Sequence, residues 1–154
     1  MKTALLALTI SACTPAPAAS PVHVHDGDTL TVGGTRWRLH GVDAFELAQT
    51  CGNEPCGLYA RDHLNEAVAG KAVVCTVTGK PSYGRQVGRC MSDGVDIAAE
   101  QVGAGWALDW AQYSGGAYRP LESNARYDRL GAWQWGFEAP WEWRRTHRPG
   151  PHPR

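Results

Sequence analysis

Three short runs of β-forming residues, separated by tight turns, begin the folded part of this sequence and restrict the folds open to it. The first run alternates over residues 22–25, the second is β-branched over 29–32, and the third covers 35–42. An Asp-Gly-Asp turn at 26–28 and a Gly-Gly turn at 33–34 separate them. Because such short turns join neighbouring antiparallel strands, the pattern predicts a three-stranded meander.

A helix and a hairpin follow the meander. The apolar residues of 58–68 have helical spacing, and a Gly-Lys pair ends the pattern at 70–71. The β-rich runs 71–78 and 85–91 then flank a turn near residues 82–83. A three-stranded meander, a helix and a hairpin occur in this order in OB barrels. The sequence therefore predicts an α+β fold, a five-stranded OB-fold β-barrel with about three short helices.

Two further helices complete the prediction. Asp96 is a suitable N-cap for a helix through about residue 102, and Pro120 suits the first turn of a helix that ends near residue 131. The chain has 154 residues, of which 43% are hydrophobic and 19% charged, and these values indicate one globular domain with one core. We expect this domain to occupy residues 21–143 and a basic, disordered tail to occupy residues 144–154.

The first 20 residues have the pattern of an export signal. Lys2 precedes an apolar run at 4–12 that is too short to span a bilayer. The sequence ISAC resembles a bacterial lipoprotein cleavage box, in which Cys13 is lipidated and the residues after it form a tether. The alternative is an ordinary signal peptide cut near residues 18–19. Both predict an exported protein, periplasmic or extracellular, that contacts the membrane only if a lipid anchors it to the cell envelope.

Export changes how the other four cysteines are interpreted. An even number of cysteines in an oxidising compartment predicts two disulfide bonds. Cys51 and Cys56 close a short loop, while Cys75 and Cys90 lie on opposite strands of the predicted hairpin. We therefore expect the disulfides Cys51–Cys56 and Cys75–Cys90. A four-cysteine zinc site is the alternative, although the sequence contains no CxxC pair.

Four tryptophans, at positions 133, 135, 141 and 143, come directly before an arginine-rich ending. Large aromatic side chains stabilise a fold most when they are buried. We favour a lid over the core as their role, with a platform for ligand bases as the alternative.

Asp28, Asp43 and Glu46 are candidates for a cation site. Asp28 lies at the mouth of the second strand, and Asp43 and Glu46 lie at the end of the third. Calcium requires several oxygen ligands, which carboxylates and a main-chain carbonyl provide. Taken alone, the aspartates of the first turn are explained as turn residues and Glu46 as a surface charge.

Arg38 and Arg85 are candidates for binding phosphate. Arg38 alternates with Trp37 and Leu39, so it lies on the outer surface if those two fill the barrel. Arg85 opens the last strand directly after the hairpin turn. Guanidinium groups neutralise the charge that develops on phosphoryl oxygens through paired hydrogen bonds. Each arginine taken singly is equally well explained as an ordinary surface residue.

Three blocks in this order closely resemble the staphylococcal nuclease (thermonuclease) family. They are DGDTL at 26–30, WRLHGVDAFE at 37–46 and YGR at 83–85. The resemblance extends from about residue 22 to residue 133 and includes GWA at 105–107 and LGAW at 130–133. YGR alone carries little information, whereas the three blocks in register are a specific signal.

The resemblance implies a role for each candidate residue. Asp28 and Asp43 correspond to the calcium-binding carboxylates, and the main-chain carbonyl of Ala44 to a further calcium ligand. Arg38 and Arg85 correspond to the arginines that bind the scissile phosphate.

Three further positions complete the implied site. Glu46 corresponds to the acid that orients or deprotonates the attacking water, and Tyr83 and Tyr113 to tyrosines that contact the nucleotide. The implied activity is that of a calcium-dependent endonuclease that hydrolyses DNA or RNA and leaves 3′-phosphate products. A monomer is the default expectation, since the sequence leaves the oligomeric state open.

Two features depart from the family pattern. Phe45 stands where the family has proline, so packing of Phe45 and a Cys51–Cys56 bridge would have to hold the loop that carries Glu46. The net charge of the whole chain is zero, but residues 21–143 contain ten basic and fifteen acidic residues. Since phosphate neutralisation supplies most non-specific affinity, we expect weak, salt-sensitive binding of nucleic acid.

A catalytically inactive, envelope-anchored OB-fold module that binds nucleic acid is the alternative function. The acidic domain and the absent proline favour the module, whereas the chemically unaltered catalytic positions favour a nuclease. A metal site at His23 and His25 is a third hypothesis, because these two histidines share one face of a strand, but the sequence offers no third ligand beside them.

Overall fold

The structure is a computed structural model that describes residues 20–147. The predicted export signal with Cys13 and residues 148–154 of the predicted tail lie outside these residues. In chain order the strands are β1 (Val22–Asp26), β2 (Thr29–Val32), β3 (Thr35–Leu39), β4 (Val42–Ala44), β5 (Val73–Ser82), β6 (Arg85–Ser92), β7 (Val95–Asp96) and β8 (Ala107–Asp109). The helices are α1 (Cys56–Val68), α2 (Ile97–Gly103), α3 (Ala111–Ser114), α4 (Arg119–Tyr127), a 3₁₀ helix (Gly131–Gln134) and α5 (Pro140–Thr146).

The main sheet has the strand order β1-β2-β3-β6-β5. The first three strands form the predicted antiparallel meander, β6 lies parallel to β3, and β5 and β6 form the predicted hairpin. Strand β7 pairs with β6, and β4 and β8 form a separate two-stranded sheet. The α+β fold and its five-stranded path are confirmed. Among residues 20–147, however, no strand pairing closes this path into a barrel.

The described residues form five α-helices, where the sequence predicts about three. The predicted helices correspond to α1, α2 and α4, and Asp96 caps α2 by accepting hydrogen bonds from the backbone amides of Ala98 and Ala99. Helices α3 and α5 have four and seven residues. Such short segments have little periodic signal and are stabilised by tertiary contacts rather than by propensity, so they escaped prediction.

Helix α5 also corrects a predicted boundary. A basic, disordered tail was predicted for residues 144–154, but the helix continues through Thr146. Pro140 stands at its first turn and is buried, and acidic and basic side chains occupy its first and last turns as its dipole favours. None of the helices in the described part of the chain has the length and apolar character needed to cross a bilayer.

Two apolar clusters hold the fold together. The larger lies between the sheet and α1 and α2, with Leu30, Leu39, Leu64 and Ile97 among its fully buried side chains. The smaller, which we call the aromatic cluster, consists of Phe45, Cys51, Cys56 and Ala132 with Trp106, Trp135 and Phe137 packed against them.

The C-terminal tryptophans divide between two environments. Trp135 packs in the aromatic cluster, and the ring of Trp133 lies edge-on to Phe137 at a centroid distance of 4.8 Å. These two fulfil the predicted role of a lid. Trp143 instead lines the cleft described below, and Trp141 remains 38% exposed.

Both predicted disulfides are present. Cys51 is bonded to Cys56, and Cys75 to Cys90. Cys75 and Cys90 stand directly opposite each other in the β5–β6 register, as the hairpin prediction requires. Because all four sulfurs are engaged, the alternative of a zinc site is wrong.

Candidate active site

A cleft of about 1080 Å³ opens where β3 and β4, the β5–β6 hairpin and helix α5 meet. All but one of the predicted site residues line it: Asp28, Arg38, Ala44, Glu46, Tyr83, Arg85 and Tyr113. The exception, Asp43, is fully buried but is bonded to two arginines that line the cleft. Folding therefore gathers the predicted acids and arginines, which are distant in sequence, at one place.

Arg38 connects the two buried aspartates. Its Nη2 donates to Asp43 Oδ1 at 2.9 Å, and its Nη1 forms an ion pair with Asp28 Oδ2. Burial by itself lowers the pKa of Arg38, but the charges of Asp28 and Asp43 outweigh it and the pKa is raised. Arg38 was expected on the outer surface, but its side chain, paired with both aspartates, is only 12% exposed. It nevertheless faces the cleft rather than the core.

Asp28 is held in place by the strands around it. Its Oδ1 accepts from the Thr29 hydroxyl at 3.1 Å, and its Oδ2 accepts from the backbone amide of Ala44 at 2.9 Å. The close approach of these segments explains the glycine of the first turn. A Cβ at Gly27 would lie 2.7 Å from the Ala44 Cβ and 2.8 Å from the Ala60 Cβ. The Asp-Gly-Asp segment is therefore both a turn and a place where the backbone packs closely against Ala44 and Ala60.

Arg85 reaches the same site from the hairpin. Its Nη1 donates to the Thr29 hydroxyl at 3.1 Å, and Thr29 in turn donates to Asp28. Neighbouring Tyr83 is 96% exposed at the rim of the cleft. Tyr113, which also lines the cleft, is 52% exposed and stands edge-on to Trp110 at a centroid distance of 4.7 Å. Both tyrosines are therefore exposed residues of the cleft, whereas the side chain of Arg38 is only 12% exposed.

Glu46 lies on a loop held by packing. Phe45 is 1% exposed and contacts Phe137 edge-on at 5.0 Å, in the position where the family has proline. The Glu46 amide donates to the Gln49 side chain at 3.2 Å. A Cβ at Gly57 would collide with the Glu46 carbonyl, so α1 approaches this loop as closely as backbone allows. Phe45 and the Cys51–Cys56 bridge hold this loop as predicted.

Arg144 is the residue that the sequence analysis missed. Its Nη2 donates to Asp43 Oδ2 at 2.7 Å, and its Nη1 donates to Asp43 Oδ1 at 2.9 Å and to Glu46 Oε1 at 2.8 Å. Burial alone lowers the pKa of Arg144, but these hydrogen bonds outweigh it and raise the pKa. The run of arginines after Trp143 was a signal of positive charge, but it was assigned to the disordered tail.

Burial and charge crowding make this cluster electrostatically unusual. Burial, assisted by the charge of Asp28, raises the pKa of Asp26 to about 6. Burial also raises the pKa of Asp43, while the hydrogen bonds and charges of Arg144 and Arg38 act in the opposite direction. Perturbed carboxyl groups that share a cleft with arginines are typical of active sites.

The donor set fits a hard cation. Asp28, Asp43 and the Ala44 carbonyl supply oxygen ligands from adjacent backbone segments, and the Ala44 amide bonds Asp28 directly. Within residues 20–147, no group of three His, Cys, Asp or Glu side chains is arranged to hold a metal ion. The same finding leaves His23 and His25 without a third ligand in the described part of the chain; their rings are 4.6 Å apart.

Comparison with known proteins agrees with the fold and identifies the family. The family model for Staphylococcal nuclease homologue matches residues 36–135. The chain is 34% identical over 130 residues to an uncharacterized endonuclease of Escherichia coli O157:H7, covering 80% of this chain and 82% of that protein. It is 31% identical over 138 residues to the succinoglycan biosynthesis protein ExoI of Rhizobium meliloti, covering 85% and 72%. It is 33% identical over 117 residues to the staphylococcal-like nuclease CAN1 of Arabidopsis thaliana, covering 75% of this chain and 35% of that protein.

These findings establish the class of protein. An α+β fold with a cleft of carboxylates and arginines, together with the matches in sequence, defines a nuclease of the hydrolase class. The chain belongs to the family of staphylococcal nuclease homologues.

Proposed function

We propose that this nuclease is an exported, calcium-dependent endonuclease that cleaves DNA, RNA or both and leaves 3′-phosphate ends. One observation carries the proposal: Arg38 bridges Asp28 and Asp43, while Arg85 reaches Asp28 through Thr29. The two arginines and the two buried aspartates are therefore grouped at one cleft, together with Glu46. This is the combination that hydrolysis of a phosphodiester requires.

Asp28, Asp43 and the Ala44 carbonyl are the residues that would hold calcium. When bound, calcium supplies a Lewis acid and a template for the phosphate. The chain's own residues perform the other tasks. Arg38 and Arg85 donate hydrogen bonds to the non-bridging oxygens of the phosphate, where negative charge accumulates as the reaction proceeds.

Glu46 is the residue that positions the attacking water. Its carboxylate lines the cleft and its side chain is 36% exposed, so a water molecule can reach it. A carboxylate beside the phosphate can accept a hydrogen bond from water and take its proton. The loop packing around Phe45 keeps this carboxylate near the arginines.

Exposed aromatic rings at the mouth of the cleft suit the bases of a nucleic acid. Tyr83 and Tyr113 offer faces on which bases can stack, and stacking tolerates any base. The acidic balance of the domain predicts weak binding of nucleic acid, and the part of the binding that comes from arginine–phosphate contacts should fall as salt is added. These features support a substrate recognised by backbone and stacking rather than by sequence.

Export is the part of the proposal that rests on the disulfides and the N-terminal pattern. Two disulfide bonds suit an oxidising compartment. Mass spectrometry of the mature protein from its native cells tests this. A diacylated N-terminal Cys13 indicates a lipoprotein, a start near residue 19 indicates an ordinary signal peptide, and an uncleaved Met1 contradicts export.

The catalytic proposal is tested by digestion of DNA and RNA with calcium and with a chelator. We expect cleavage only with calcium, and products with 3′-phosphates by end-group analysis. Glu46→Gln should abolish cleavage, whereas Glu54→Gln, in the same loop but bonded to Tyr59, should not. Binding of nucleic acid without cleavage at any calcium concentration would instead support the inactive envelope-anchored module.

A further inference from the structure

Helix α5 lies outside the residues that the family model matches, yet it supplies a side chain to the centre of the site. The match ends at residue 135, and α5 begins at Pro140. From this helix, Arg144 makes three hydrogen bonds to Asp43 and Glu46. This contact is therefore a feature of this chain that the matched region does not contain.

The position of Arg144 is determined by packing and does not depend on its ion pairs alone. Phe137 packs against Phe45 and Trp133. The carbonyl of Glu138 accepts from the Gln49 side chain at 2.6 Å, and the carbonyl of Gly136 accepts from the Gly52 amide at 2.7 Å. These contacts join the start of α5 to the loop that carries Glu46, so the helix is aimed at the acids.

The oxygens that Arg144 occupies are those that a cation would need. Asp43 Oδ2 accepts from Arg144, and Asp43 Oδ1 accepts from both Arg144 and Arg38. Both carboxylate oxygens of a proposed calcium ligand are therefore engaged by guanidinium groups. A divalent cation at Asp43 would stand within a few ångströms of the Arg144 charge, and like charges at that distance repel.

Arg144 is also better placed to leave than Arg38. Its side chain is 34% exposed, compared with 12% for Arg38. The guanidinium lies 5.9 Å from the centre of the Trp110 ring, which offers a cation–π contact at the wall of the cleft. Displacement from Asp43 therefore returns Arg144 to water and an aromatic face, whereas Arg38 has no comparable exit.

We propose that Arg144 is an internal competitor for the cation, and that it sets the calcium concentration at which this enzyme becomes active. The proposal rests on the proposed function, since it takes Asp43 as a cation ligand. In the cation-free protein Arg144 neutralises Asp43 and Glu46. Calcium binding displaces it and leaves both carboxylates to the reaction.

The test measures calcium binding directly, by titration calorimetry without nucleic acid. Arg144→Met keeps much of the length of the side chain and removes its charge, so calcium affinity should rise by roughly tenfold. Arg145→Met is the matched control. Arg145 lies on the same helix, is 70% exposed and, among the described residues, pairs only with Glu142, so its replacement should leave calcium affinity unchanged.

Two further measurements separate the outcomes. Thermal unfolding should show that Arg144→Met is less stable than the wild type without calcium and that calcium stabilises it more. If Arg144→Met binds calcium as the wild type does but has a raised KM for nucleic acid, the inference is overturned and Arg144 is a phosphate-binding residue. If no variant binds calcium and the wild type does not cleave, the proposed function itself fails, and this inference fails with it.

Discussion

The cleft has two walls that both supply an arginine to Asp43 but are built differently. The strand wall, formed by β2, β3, β4 and the β5–β6 hairpin, contributes Arg38, which is almost buried between Asp28 and Asp43. The helix wall, formed by α5 and the loop 45–55, contributes Arg144, which remains partly exposed. The same carboxylate thus has one arginine enclosed in the sheet and one at the solvent boundary.

This difference in exposure between Arg38 and Arg144 indicates which ion pair is structural and which can be displaced. Removing one member of a buried, hydrogen-bonded ion pair is costly because the partner charge stays unpaired in a poorly solvated site. A partly exposed pair loses less, since water replaces the partner. We therefore assign Arg38 of the strand wall to a permanent place in the site and Arg144 of the helix wall to control of access. Four predictions test this division, in order of expected effect.

Arg38→Ala should have the largest effect, on both activity and stability. Without the guanidinium, the buried Asp28 loses its ion pair while Asp43 keeps only that with Arg144 among the described residues, so we expect a loss of about 3–5 kcal/mol in the free energy of unfolding without calcium. We also expect cleavage to fall by at least about a thousandfold. Urea denaturation and initial rates measure these effects. Arg38→Lys should rescue little, since an ammonium cannot bridge two carboxylates as a fork does. Wild-type stability in Arg38→Ala would contradict the structural role of the strand wall.

Arg85→Ala should separate activity from stability. Cleavage should fall by roughly a hundred- to a thousandfold, because one donor to the phosphate is lost. Stability should change by less than about 1 kcal/mol, because within residues 20–147 Arg85 bonds only a hydroxyl and a carbonyl. Arg89→Ala, on the same strand and paired with Asp96 away from the cleft, is the control and should retain activity. Full cleavage by Arg85→Ala would remove this arginine from the site.

Phe45→Ala should show that the helix wall depends on the aromatic cluster. Loss of this buried ring should cost about 3 kcal/mol of stability and should also loosen the loop that carries Glu46. Both effects are measured on one sample, by thermal unfolding and by kcat. Phe137→Ala removes the facing ring and should give a smaller loss of the same kind, since Phe137 is less buried. If Phe45→Ala lowers stability but leaves kcat intact, the loop does not need this anchor.

Removal of the Cys51–Cys56 bridge should have the smallest effect of the four. The bridge closes a loop with a sequence separation of only 5, so the double change to serine should cost about 2 kcal/mol. Calorimetric unfolding of the double variant measures this loss. The Cys75–Cys90 bridge closes a longer loop, with a separation of 15, and the matching serine pair should cost about 3 kcal/mol. The reverse order would indicate that the helix wall, rather than the hairpin, limits stability.

Local sequence patterns were sufficient to predict the meander, helices α1, α2 and α4, the hairpin and both disulfide pairs. Alternation, caps and turn residues act between near neighbours, so the residues that determine these elements lie side by side in the sequence. The candidate residues Asp28, Arg38, Asp43, Glu46 and Arg85 were also named from sequence, because three short blocks in register are specific.

Tertiary structure alone decided what those residues contact. The exposure of Arg38 depends on how closely β4 approaches the first turn, where the Ala44 amide bonds Asp28. No local sequence pattern predicts that approach. The short helices α3 and α5 form only because the rest of the molecule holds them. Arg144 lies 101 residues from Asp43, so its bond to that carboxylate arises from the aromatic contacts that return α5 to the cleft. The sequence by itself identified the candidate residues of the site. Long-range packing determined which arginine pairs with which carboxylate.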